Sequence, residues 1–155
     1  MASPATTLRD EQALMSTLLK LMKQEQQLLV SADTEGLTAI TPQKSQLIVQ
    51  MGQLASQRHQ TLGSLGCAAQ DAGMETWLDH ANDPASLALW QDLLSLTREA
   101  KELNRVNGML INKQLQHNQT IINAMRTPAN AAETGFYGPS GQAVSGGASR
   151  RFVVG

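Results

Sequence analysis

A chain of 155 residues with a formal net charge of −1, 41% hydrophobic, 16% charged and 3% aromatic, suits one domain or one domain with a tail. The near-neutral balance speaks against a nucleic-acid binder, which needs a basic face for phosphates, and against a polybasic membrane-surface protein. No run reaches the ~18 consecutive apolar residues of a membrane-spanning helix. Met1 to Asp10 lacks a basic stretch followed by an apolar run, so no Sec-type leader is expected and the cytoplasm is the expected location. Leucine contributes 21 residues and glutamine 16, while β-branched and aromatic residues are scarce. Good helix formers dominate, so the class is all-α.

The first helix is predicted from about Thr7 to Val30, capped by Thr6 or Thr7, with Asp10 and Glu11 in the first turn. Its apolar residues fill an arc of roughly 200°, which predicts contact with more than one neighbour. Ser31 to Gly36 reads as a turn. A second helical run follows from about Thr34 to Leu65, with a kink or restart predicted where Thr41 precedes Pro42. Its stripe, including Leu37, Ile40, Leu47, Ile48, Met51, Leu54, Leu62 and Leu65, spans roughly 120° and predicts one buried face. Met74, Trp77 and Leu78 suggest one short helical turn capping the bundle. Asp83-Pro84 is a strong start signal for a third helix, predicted to run to about Arg126. Gly108 lies inside it at a cost of about 1 kcal/mol relative to Ala, and marks a bend or a close backbone approach.

The predicted architecture is an antiparallel bundle of three long helices, a hairpin plus a longer third helix, over residues 1–126. Residues 127–155 read as a flexible tail. This stretch holds half of the 12 glycines and two prolines, yet also Phe136, Tyr137 and Phe152.

Catalytic patterns are missing. His59, His80 and His117 fall on separate segments without a second ligand at metal-site spacing, and no phosphate loop or dinucleotide fingerprint is present. Cys67 has no basic sequence neighbour to activate it. No metal and no cofactor is expected. A histidine phosphotransfer domain is a conceivable alternative, but neither His59 nor His117 is followed by the lysine and glycine such domains carry.

The informative stretch is the late third helix. Leu103, Val106, Leu110, Ile111, Leu115, Ile121, Ile122 and Met125 occupy an arc of roughly 180°. From Val106 to Met125 the only full charge is Lys113, and Asn107, Gln114 and Asn118 are among the amides that edge the arc. Such a face suits a helix that packs on its own bundle and also receives a partner helix, since amides bond across a seam without the cost of burying ions. Ordinary bundle core, or a helical protein that self-associates through the same arc as a weak homodimer, would leave the same pattern.

Leu103-Asn-Arg-Val-Asn-Gly-Met-Leu-Ile111 resembles the third-helix motif of the FlgN family of flagellar export chaperones, matched at Asn107, Gly108, Leu110 and Ile111. Tyr137-Gly-Pro-Ser-Gly-Gln142 resembles the family's Tyr-Gly-x-x-Gly-Gln element, with Ser140 where an acid is common. Lys44-Ser-Gln-Leu-Ile48 and Arg58 resemble its second-helix pattern. The resemblance implies a small cytoplasmic helical protein, not an enzyme. It implies binding of the C-terminal helices of hook–filament junction proteins, protection of these subunits from premature polymerisation, and their delivery to the membrane export gate of the flagellar type III apparatus. It assigns the partner helix to the region from Leu103 to Met125, and makes Tyr137 and Gly138 candidates for docking at the gate or folding onto the substrate.

Overall fold

The computed structural model describes the backbone of residues 2–134 and the side chains of residues 2–126. Among the described residues every regular element is helical. A 3-10 turn at Pro4–Thr7 leads into α1 (Leu8–Val30), followed by α2 (Thr34–Ser64), α3 (Ala72–Ala81) and α4 (Pro84–Thr134). The chain divides into two compact units, Met1–Ile111 and Asn112–Gly155.

In the first unit, local chemistry accounts for the helix ends. The Ser3 hydroxyl accepts from the Ala5 N–H at 3.1 Å and caps the 3-10 turn. The expected cap by Thr6 or Thr7 is corrected: Thr7 donates its hydroxyl to Glu11 Oε1 at 2.7 Å instead. Asp33 Oδ1 accepts from the Gly36 N–H at 2.9 Å and starts α2. This helix neither stops nor restarts at Pro42. The Thr41 hydroxyl donates to the Leu37 carbonyl at 2.7 Å, as threonines inside helices do, so it caps nothing. Pro42 deletes one i→i−4 bond, and its exposed position avoids any steric conflict with the core.

The predicted single turn around Met74 is in fact the ten-residue α3. Its approach to the preceding loop depends on Gly73, where a Cβ would lie 2.0 Å from the Ala68 carbonyl oxygen. Asn82 closes α3 in the left-handed region at φ 53°, a conformation asparagine tolerates. Asp83 then caps α4 as expected: Oδ1 accepts from the Ala85 N–H at 3.1 Å, and Oδ2 accepts from the Ser86 hydroxyl at 2.6 Å. α4 continues past the end expected near Arg126 and is helical as far as Thr134, the last described residue. Thr127-Pro128 does not end the helix; alanines at 129, 131 and 132 favour its continuation.

Cross-helix pairs set the directions. Glu11 meets Arg58 and Glu25 meets Lys44, so α1 and α2 run antiparallel. Gln12 donates to Asp92, Lys23 faces Glu99 and Asn107 reaches Met22, so the first part of α4 runs parallel to α1. The broad apolar arc of α1 therefore serves two neighbours.

The core gathers Leu8, Met15, Leu18, Leu19 and Met22 from α1 with Leu62, Met74, Leu78, Trp90, Leu93 and Ala100. It is rich in leucine and methionine, whose adaptable side chains fill the gaps around the buried Trp90 ring. The buried face predicted for α2 is largely present: Ile40 and Leu62 are buried, and Leu37, Leu47, Met51 and Leu54 are half-buried. Ile48 is 51% exposed and Leu65 is 37% exposed. Ile40, Arg58 and Leu62 are the residues α2 fully buries. Leu47 and Met51 pack against the core from this face, and polar ties add to the apolar contact.

In the second unit, residues 112–134 are helical. Of the side chains at 112–126, all are exposed except that of Gln114, which is half-buried.

Candidate partner-binding surface

Two buried polar clusters hold the first unit together. In one, Glu25 of α1 accepts from Lys44 Nζ of α2 at 3.0 and 3.2 Å and from Asn107 Nδ2 of α4 at 2.8 Å. The same Asn107 amide donates to the Met22 carbonyl at 3.0 Å. Three helices thus meet at one carboxylate. Asn107 is 1% exposed and its Oδ1 has no partner. A buried amide oxygen left unpaired costs about 1–3 kcal/mol, so the two bonds from Nδ2 carry the net value of this residue.

In the other cluster, Arg58 is 3% exposed and donates from Nε and Nη2 to the two oxygens of Glu11, each at 3.0 Å. Its guanidinium also lies 4.8 Å from the Trp90 ring centroid. Nη1 donates to Asp71 Oδ1 at 3.0 Å, which ties in the start of α3. Burial alone would lower the Arg58 pKa, but the two carboxylates raise it, so the guanidinium stays charged. His59 sits partly covered, with Nε2 2.8 Å from Asp71 Oδ1.

The same contacts act on Asp71. Burial pushes its carboxyl up, but the hydrogen bonds from His59 and Arg58 outweigh this and hold it below the usual carboxylate range. A group depressed in the folded state contributes stability above its unfolded pKa, and that contribution disappears as the pH falls through the folded value. Between about pH 5 and pH 2 the wild-type urea midpoint should therefore fall more than that of Asp71→Asn. Equal losses would remove Asp71 from this role.

The residues singled out in the sequence separate by face. In the first unit, Leu103, Val106 and Leu110 are half-buried, and Leu103 packs against the core. Asn107 is turned inward. Gly108 is half-buried, and Ile111 is 42% exposed. Met109 points away at 59% exposure, with Arg105 Nη1 3.1 Å from its sulfur. In the second unit, Leu115 is 61% exposed and Met125 75%, with Ile121, Ile122 and Asn118 also exposed. Leu115, Asn118, Ile122 and Met125 are spaced 3-4-3, the spacing of a helix-packing seam with one amide inside it. Lys113 is the one full charge between Asn112 and Met125. Exposed apolar side chains at such spacing fit an incoming amphipathic helix. Tyr137 and Gly138 lie outside the described residues.

Glu11, Glu25, Asp71 and Trp90 were not among the residues singled out. A signal existed for two of them. Glu11, Met15, Leu18, Met22, Glu25 and Leu29 are spaced 4-3-4-3-4, which places both acids on the core row of α1, where only paired charges are tolerated.

A family model described as FlgN protein matches residues 1–145 of the chain. A protein of Yersinia enterocolitica named flagella synthesis protein FlgN is 29% identical over 140 residues, covering 89% of this chain and 87% of its own length. A protein of the same name from Proteus mirabilis is 30% identical over 131 residues, covering 83% of this chain and 82% of its own. No solved structure matches the chain.

Proposed function

The chain belongs to the FlgN family, and on that premise we propose that it is a cytoplasmic flagellar type III export chaperone. It binds C-terminal helices of hook–filament junction proteins, keeps them from polymerising early and brings them to the membrane export gate. The observation that carries the reading is the exposed apolar row on α4 in the second unit, Leu115, Ile121, Ile122 and Met125. Support comes also from the names of the relatives, both flagella synthesis proteins.

The physics suits a carrier. A subunit that polymerises through an amphipathic helix exposes an apolar face while it waits, and such faces aggregate. A chaperone that lends the missing helical surface covers that face, and about 800 Å² per partner would be ordinary. A binding role asks for surface rather than catalysis. Release must follow, which favours a seam of aliphatic contacts edged by amides such as Gln114 and Asn118 over buried ion pairs. Tyr137 and Gly138 would provide a second contact, to the gate or to the cargo.

Mixing the full chain with the C-terminal helical peptide of a junction protein from the same bacterium should give a soluble 1:1 complex by light scattering. Absence of binding at concentrations on the order of 10 µM would count against the carrier role. A fixed dimer or tetramer of the protein alone, with Leu115 buried, would favour self-association instead.

A further inference from the structure

A glycine inside a helix calls for a reason, because alanine in the same place stabilises the helix. Gly36 and Gly73 have one in this chain: a Cβ would lie 2.5 Å from Leu28 Cδ2 at the first and 2.0 Å from the Ala68 carbonyl at the second. Gly66 has φ +80°. Gly52 of α2 has no such reason, and neither has Gly108. It lies well inside α4, its φ is not in the left-handed region, and no atom lies within 4 Å of the position its Cβ would take. The first unit would gain from alanine here.

The surroundings of Gly108 show what the bare backbone could serve. Asn107 beside it is buried and committed to α1. One turn ahead is Ile111, 42% exposed, and one turn behind is exposed Asn104. Along the outer flank, Arg105 is paired with Glu102 at 2.7 Å, so this rim carries no net charge. A notch with an apolar end, an amide end and a self-neutralised rim admits an uncharged, bulky side chain at short range.

We infer that Gly108 is the point at which the bound amphipathic helix of the exported subunit crosses α4, seating one large apolar side chain on the bare backbone between Asn104 and Ile111. The inference rests on the carrier role proposed above and adds the place where the fit is tightest.

The test uses opposite signs. In the full chain, Gly108→Ala should raise the melting temperature by about 2–4 °C, while the junction-protein peptide binds roughly tenfold more weakly because the added methyl fills the seat. Gly108→Leu should weaken binding about a hundredfold. Gly52→Ala is the control: this α2 glycine also has nothing within 4 Å of a Cβ, so stability should rise with binding unchanged. If the wild type binds and Gly108→Ala binds as tightly, or if Gly52→Ala weakens binding as much, the inference is overturned and the carrier role stands. If the wild type does not bind, both fall.

Discussion

Replacing Arg58 with alanine is expected to lower the unfolding free energy by about 3–5 kcal/mol. For a chain of this size that is a fall in melting temperature of about 6–20 °C. The reason is the carboxylate left behind. Glu11 is 2% exposed and both its oxygens accept from Arg58, so the variant must bury an unpaired charge or protonate it. The stacking of the guanidinium on Trp90 and the tie to Asp71 disappear as well. Arg58→Met combined with Glu11→Leu should recover most of the loss, because a well-packed apolar pair is often as stable as a buried ion pair. Thermal denaturation followed by circular dichroism decides the matter. A single-variant loss below about 1 kcal/mol would show that water reaches Glu11 and that the cluster is not closed.

Asp in place of Leu115 or Ile122 should leave stability almost untouched and abolish most cargo binding. Both side chains are exposed, at 61% and 45%, and surface substitutions of this kind usually change stability by less than about 0.5 kcal/mol. Binding should fall at least thirtyfold, the effect of about 2 kcal/mol at an interface anchor. Leu103→Asp provides the contrast. That side chain is half-buried against the core, so stability should fall first and binding only as a consequence. Titration calorimetry with the junction-protein peptide and melting curves on the same samples separate the two cases. Parallel loss of helix content and binding in Leu115→Asp would remove it from the surface row.

Much of the fold can be read from the sequence because its signals are local. The α4 start needs only Asp83 and Pro84, and the α1–α2 turn only the run from Ser31 to Gly36. The prolines mislead for a physical reason. Pro42 and Pro128 each delete one hydrogen bond, but neighbouring residues that favour a helix carry it through. The extent of α3 depends on Gly73 approaching the Ala68 backbone, a contact no periodicity encodes. At the site, the exposed row on α4 was legible as apolar residues without nearby charge. Its division into inward and outward members was not. Asn107 and Ile111 lie on the same motif, yet one reaches for Glu25 and the other for solvent, because the partner acid is supplied by a distant part of the chain.

The seat of Asn107 also governs how the protein ages. Asparagine followed by glycine is the dipeptide most prone to spontaneous cyclisation, in which the glycine nitrogen attacks the side-chain amide and ammonia leaves. In α4 the Gly108 N–H is committed to the helix and the Asn107 amide is anchored to Met22 and Glu25, so the attack geometry is denied. Each excursion to the unfolded state removes that shield. Water then opens the cyclic imide to aspartate or isoaspartate, and either would set a second negative charge beside Glu25 and cannot refill the seat, so unfolding events accumulate as permanent damage rather than as a reversible equilibrium.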